Sequence, residues 1–291
     1  MADVGPFLAN VVRGRRVPPE RLEEVTHHYE LFDGCSPLNE LTFRQARALE
    51  ADLAARGPGV PVYVGMRNWT PYLHETLARM RADGIRRALG IVMAPHRSYS
   101  SWDQYLQNVA EARAQVGEGA PDVEYPDPWF DDPGFIEAQA DRVAAALADV
   151  PDRDVDAAAL VFTAHSIPSA MAAHGPYVEQ LTTSSRLVSS RLGRRQWSVA
   201  YQSRSGDPRT PWLDPDVNDV IRVLAREGSR AVEVTPIGFV CDHIEVLYDL
   251  DTEARATARD AGVTFRRAAT VMDHPAFIRM LGDRVRARRA P

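Results

Sequence analysis

The 291-residue sequence contains no lysine, so all 34 of its basic residues are arginine. With alanine abundant, that absence points to a GC-rich coding sequence and carries no mechanism. Basic charge is also in deficit: the net charge of −6 leaves no footprint of the kind a nucleic acid needs. The basic C-terminal residues Arg284, Arg286, Arg288 and Arg289 read as a solvated helix end. Two cysteines, Cys35 and Cys241, are too few to staple a domain of this size. No apolar run approaches the ~18 residues of a membrane-crossing helix, and the start shows no signal segment. These absences predict a cytoplasmic protein. What remains is an ordinary globular composition, 45% apolar and 25% charged, long enough for one large or two medium domains.

Apolar runs and helical stretches alternate. Strands are expected at 60–66, 88–94 and 122–125, then at 159–164, 197–201, 231–237 and 263–267. Between them the spacing predicts helices over 72–83, 102–116, 135–147, 176–191 and 215–227. This alternation implies an α/β fold with parallel sheets covered by helices on both faces. The acidic, proline-bounded segment Val150-Pro-Asp-Arg-Asp-Val-Asp156 marks the domain boundary. The expected division is 1–150 and 151–274, with a last helix, 275–291, returning to the first lobe.

Two stretches carry chemistry. After the run Ala231 to Ile237, broken at Pro236 and Gly238, come acids at Asp242, Glu245, Asp249 and Glu253. Steps of three and four place them on one helix face, where like charges repel. Alone, this stripe is as well explained by a solvated acidic face as by a bound cation. The second stretch is Ala158-Ala-Leu-Val-Phe-Thr-Ala-His-Ser-Ile-Pro-Ser169, a short buried strand ending at His165. In open α/β sheets ligands bind beyond the carboxyl ends of strands, and both stretches end there. An imidazole facing carboxylates offers N/O ligation to a divalent first-row metal and a base that titrates near neutrality.

Thr163-Ala-His-Ser-Ile-Pro168 with Gly175-Pro-Tyr-Val-Glu-Gln-Leu181 resembles the signature of the ferrochelatase family, enzymes that insert ferrous iron into a porphyrin. Further matches follow in the same order: Tyr201-Gln-Ser-Arg-Ser-Gly206, Pro211-Trp-Leu-Asp-Pro-Asp216 and Pro236 to Asp249. Near the start stand His28-Tyr29, Ser36-Pro-Leu-Asn39 and Gly65-Met-Arg-Asn-Trp69. The resemblance implies two Rossmann-like lobes of the chelatase fold with a porphyrin cleft between them.

It also implies roles. Metallating a porphyrin requires loss of two pyrrole protons, dehydration of Fe²⁺ and distortion of the ring, which a clamping cleft favours. His165 is the candidate proton acceptor or metal ligand. Glu245 is expected to face it across the cleft as the second ligand or proton relay, and the residues leave open which does which. Asp249 and Glu253 would form an outer carboxylate relay that dehydrates and delivers the metal. Ser36, His28, Tyr29 and Tyr105 would contact the porphyrin, although each could equally be ordinary surface or core. Asn68 stands where some relatives have a histidine proposed to help deliver metal. Some relatives carry a [2Fe–2S] cluster, which needs about four thiolates; no cysteine follows Cys241, so no cofactor beyond substrate Fe²⁺ is expected.

The segment Arg15 to Tyr29, where relatives that use protoporphyrin IX carry an apolar lip, is polar at most positions. That favours coproporphyrin III, whose four propionates keep it soluble. A monomer is expected. The family opens with an apolar strand for which Met1-Ala-Asp-Val-Gly-Pro-Phe leaves no room. The expectation is a chain short at its N-terminus, with the strands near 60–66 and 88–94 left partly unpaired. Two other readings are a cobalt or nickel chelatase, which should show a second histidine in place of Glu245, and a non-catalytic two-lobed tetrapyrrole- or metal-binding protein.

Overall fold

The computed structural model describes residues 1–13, 19–205 and 209–288. The chain forms two compact units, one of residues 1–93, 99–127 and 282 onward, the other of residues 94–98 and 128–281.

The first unit holds α1 (Val4–Val11), α2 (Pro19–Glu30), α3 (Leu38–Ala55), α4 (Leu73–Ala82), β1 (Arg87–Leu89), α5 (Gln104–Val116) and β2 (Asp122–Glu124). Helix α4 begins where the Tyr72 N–H donates to Glu75 Oε2 at 2.8 Å. It ends at Gly84, whose φ of 79° suits a residue without Cβ. The only ladder among the described residues of this unit is the parallel pair β1 and β2. The expected strand over 60–66 does not form, and that over 88–94 contracts to three residues, Arg87–Leu89. Segment 60–66 joins no ladder and makes one bridge, from Met66 to Tyr72. Side chains meet its backbone instead: Val62 N–H reaches Glu50 Oε1 at 3.4 Å, and Thr76 Oγ1 donates to Val64 C=O at 2.7 Å. An apolar run becomes a strand only where a neighbour supplies its ladder partners. Residues 14–18, which include the start of the polar segment read above, lie outside the described ones.

The second unit holds α6 (Pro133–Ala148), α7 (Asp152–Val155), β3 (Ala159–His165), α8 (Ser169–Ala172), α9 (Tyr177–Arg191), β4 (Trp197–Gln202) and α10 (Val217–Arg226). It continues through β5 (Ala231–Thr235), α11 (Ile244–Val246), a π-helix (Leu247–Ala254), α12 (Arg255–Asp260), β6 (Thr264–Arg267) and the first turns of α13 (Pro275–Ala287). Its four strands are parallel in the order β4-β3-β5-β6. Val161, Val232 and Val234 pack on one face with Val217 and Ile221 of α10, Leu250 of the π-helix and Ala258 of α12. Ile221 is fully buried, so truncating it to Ala would cost ~2–5 kcal/mol.

Helix α6 belongs to the second unit, not to 1–150 as expected. The cause is its apolar face, which packs on β5 and β6. There Phe135 meets Trp129 at 5.2 Å between ring centroids, and Trp129 meets Phe277 at 5.6 Å. The unit boundary consequently falls before Pro151 and again inside α13. Only the end of α13 joins the first unit, where Arg286 Nη2 donates to Asp52 C=O at 3.0 Å.

Strand β5 hides one acid. Val232 and Val234 serve the apolar cluster, so alternation turns Glu233 to the opposite face, where it is fully buried. Burial pushes its carboxyl up to about 8, against the opposing pull of hydrogen bonds from Thr235 Oγ1 at 2.8 and 2.9 Å. Because the folded chain holds this proton and the unfolded chain releases it, stability falls as pH rises from the ordinary glutamate value towards 8. Glu233→Gln removes that slope. Between about pH 6 and pH 8 the wild type is expected to lose roughly 2–3 kcal/mol relative to the variant in urea titrations. Parallel stability curves would contradict the assignment.

Candidate active site

Three backbone features bring the site together at the carboxyl ends of β3, β4 and β5. First, Gly238 follows β5 through the turn Thr235-Pro236-Ile237, and its N–H donates to Thr163 C=O at 3.0 Å. A Cβ at this position would lie 2.6 Å from Ala164 Cβ, so only glycine lets the loop approach β3 this closely. Second, β3 and β4 stay in register to their last pair, His165 with Gln202. Third, the loop after Gly238 enters α11, which carries Glu245, and then the π-helix, which carries Asp249 and Glu253.

His165 is partly exposed at the end of β3, with Tyr177 Oη donating to its carbonyl at 2.9 Å. Its Nδ1 contacts Ser166 C=O. A carbonyl only accepts, so in the neutral ring Nδ1 carries the hydrogen and Nε2 keeps its lone pair. That lone pair faces Glu245 Oε1 at 4.0 Å. Both side chains belong to the second unit. They meet because β3, which ends at His165, neighbours β5, whose following loop leads into the helix that carries Glu245.

A second imidazole, absent from the sequence reading, completes the group. His243 Nδ1 lies 3.9 Å from Glu245 Oε2, and its ring packs edge-on against Phe239 at 4.9 Å. Burial pushes His243 below the ordinary imidazole value; Glu245 and Asp242 oppose this and His165 adds to it. The cobalt or nickel reading looked for a histidine in place of Glu245. The chain has the glutamate there and the extra histidine two residues before it. The tripeptide His243-Ile244-Glu245 could have signalled this, since an extended His243 before a helix start directs both side chains to one end of the sheet.

Asp249 is held by the last residue of β4 and the one after it. Ser203 Oγ donates to Asp249 Oδ2, and Gln202 Nε2 approaches the same oxygen at 3.4 Å. Gln202 is itself oriented by Thr163 Oγ1, which donates to its Oε1 at 2.9 Å. Ser203 has φ of 61°, a left-handed conformation that costs ~1–2 kcal/mol in a residue with a side chain. Burial pushes the Asp249 carboxyl up to about 7, and the hydrogen bond from Ser203 works against this. Glu245 and Glu253 also raise it, so the three acids sense one another's charge. Gln202 and Ser203 were legible only as part of a matching motif, without a role.

The expected stripe of four carboxylates is not what forms. Asp242 pairs with Arg267, whose Nη1 reaches its Oδ1 at 3.2 Å. The residues over 247–254 form a π-helix, which spacing alone does not distinguish from an α-helix. Among the described residues no group of three or more His, Cys, Asp or Glu side chains is arranged to hold a metal ion.

The remaining candidates lie in the first unit. His28 and Tyr29 sit on α2, with Tyr29 5.8 Å from the ring of Phe7. Ser36 Oγ accepts the Leu38 N–H at 3.4 Å, at the start of α3. Tyr105, in the first turn of α5, has the Arg67 guanidinium 4.5 Å above its ring, and Arg67 Nε donates to Asn108 Oδ1 at 2.8 Å. The Asn68 carbonyl accepts from Asn10 Nδ2 at 3.1 Å.

This fold is that of chelatases. SirB from Bacillus subtilis superposes with a TM-score of 0.59 at 12% identity, covering 83% of this chain and 87% of that one. CbiX, described as the terminal enzyme of siroheme biosynthesis in denitrifying bacteria, gives 0.56 at 17% identity, covering 86% and 93%. The sequence narrows the class. The ferrochelatase family profile matches residues 1–289. A coproporphyrin III ferrochelatase of Mycolicibacterium smegmatis is 46% identical over 283 residues, 96% of this chain and 83% of that protein. A ferrochelatase of Rhodopirellula baltica is 44% identical over 289 residues, 98% and 82%. The chain belongs to the ferrochelatase family, whose reaction is the insertion of ferrous iron into a porphyrin.

Proposed function

We propose that the porphyrin is coproporphyrin III and that iron enters it at His165 and Glu245. One observation carries the reading of the site: the Nε2 lone pair of His165 faces a Glu245 carboxylate oxygen at 4.0 Å, in a part of the chain open to solvent. With Nδ1 committed to Ser166, Nε2 is the ring nitrogen that can take a pyrrole proton or hold Fe²⁺. The net step converts a porphyrin with two N–H groups and Fe²⁺ into an iron porphyrin and two protons. Glu245 takes whichever part of that exchange His165 leaves. His243 lies beside it, its imidazole pushed below the ordinary value by burial.

The preference for coproporphyrin III rests on polarity and on kinship. Helix α2, at the position of the apolar lip, carries Glu20, Glu23, Glu24, His27, His28 and Glu30. Among the described residues no helix is long and apolar enough to cross a membrane. The M. smegmatis relative is named for that porphyrin. Anaerobic assays with Fe²⁺ and each porphyrin, followed by metalloporphyrin absorbance, test the choice. A kcat/KM about tenfold or more higher for coproporphyrin III is expected; the reverse order would favour protoporphyrin IX. Binding without turnover would support a non-catalytic module.

Asp249 and Glu253 are assigned to cation delivery. A carboxyl that titrates at about 7 must lose its proton before it binds a cation. The apparent KM for Fe²⁺ should therefore fall as pH rises through about 7, the window in which Asp249 ionises. Asp249→Asn should flatten that dependence and raise KM for metal about tenfold, with kcat changing less. A pH profile of KM identical to wild type would remove Asp249 from the route.

A further inference from the structure

A π-helix is rare and persists where surrounding contacts hold it. Here one side chain grips the segment before Glu245 and the helix after it. Arg267, the last residue of β6, donates from Nη1 to Asp242 Oδ1 at 3.2 Å and from Nη2 to Asp242 Oδ2 at 3.3 Å. Its Nε donates to Asp251 Oδ1 at 2.9 Å, and its Nη2 lies 2.9 Å from Asp251 Oδ2. The Arg267, Asp242 and Asp251 side chains are 12%, 20% and 25% exposed, so this is not a solvated surface pair. Asp242 precedes His243; Asp251 lies in the π-helix two residues beyond Asp249. The guanidinium is anchored from behind, since Arg267 pairs with Val234 in the sheet and its Nη1 donates to Ala268 C=O at 3.2 Å. Asp251 has a second, more exposed partner in Arg255, at 3.2 Å.

We propose that Arg267 is a positioning residue for metal delivery. By fixing Asp242 and Asp251 together it sets how far apart, and at what rotation, Glu245 and Asp249 are presented. It touches neither. A planar fork can serve two carboxylates at once, whereas an ammonium acts as a point charge. The inference rests on the reading of Glu245 and Asp249 as cation-handling groups.

The test compares the wild type with Arg267→Lys and Asp251→Asn. Zn²⁺ binding to the porphyrin-free protein is measured by calorimetry, the KM for Fe²⁺ and kcat in anaerobic turnover, and porphyrin affinity by fluorescence quenching. Arg267→Lys is expected to weaken Zn²⁺ binding and raise KM for Fe²⁺ about tenfold. Its kcat should stay within about threefold and its porphyrin Kd within about twofold. Asp251→Asn should shift the same two quantities in the same direction by a smaller factor. A lower thermal midpoint with unchanged Zn²⁺ affinity and KM, in either variant, would reduce Arg267 to a brace and overturn the proposal. An equal loss of porphyrin affinity would do the same. Should the wild type fail to turn over, the functional reading falls, while the Zn²⁺ titration still decides this one.

Discussion

Replacing His165 with Ala is expected to slow iron insertion about a hundredfold or more while leaving the thermal midpoint within a few degrees of wild type. The size follows from the ring's single free nitrogen. Nδ1 is bound to Ser166, so whatever His165 does for a pyrrole proton or for Fe²⁺ it does through Nε2, and alanine offers nothing in its place. The intact fold follows from location. His165 ends its strand partly exposed, and the core beneath it is built from Leu160, Val161, Phe162 and Ala164, all buried. Its hydrogen bond from Tyr177 goes to the backbone carbonyl, which the substitution keeps. Activity within about tenfold of wild type would remove His165 from the site.

Glu245→Gln should be nearly as damaging, at about thirtyfold or more, although it preserves size and shape. An amide is neither a base nor a good ligand for Fe²⁺, and it cannot exchange a proton with a neighbouring imidazole. The variant also changes the field on its neighbours. The Glu245 carboxylate raises both His243 and Asp249, so its neutralisation lets both fall. A lowered Asp249 loses its proton more readily, which should move the pH dependence of the Fe²⁺ KM to lower pH. A variant with wild-type kcat and an unshifted profile would show Glu245 to be a bystander.

The second unit was far more legible in the sequence than the first, for a physical reason. Strands β3 and β5 are buried on both faces, so Leu160-Val-Phe-Thr-Ala164 and Ala231 to Thr235 read as apolar runs whatever lies beside them. Segment 60–66 carries a similar run, but its partners are not in the run, and it joins no ladder. The site was legible where one residue marks a strand end, as His165 does. It was illegible where distance decides. Asp242 looked like part of the acidic stripe because Arg267, its partner, lies 25 residues downstream. Steps of four from Glu245 to Asp249 to Glu253 fit an α-helix, and the π-helical turn that carries two of them depends on packing. His243 stands between Asp242 and Glu245, and its place beside the glutamate follows from its extended backbone, which spacing does not show. The placement of α6 turned on its apolar face, and the proline-bounded acidic segment after it was a weaker guide.

The most direct measurement is a single anaerobic turnover. Wild type and the double variant His165→Ala, Glu245→Gln are each loaded with coproporphyrin III to equal occupancy and mixed with excess Fe²⁺. Appearance of the iron porphyrin band is then followed in the stopped flow. The account predicts full conversion in the wild type and a rate at the protein-free background in the variant, with both proteins binding the porphyrin equally. Conversion by the double variant within about tenfold of the wild-type rate would show that iron enters the ring elsewhere.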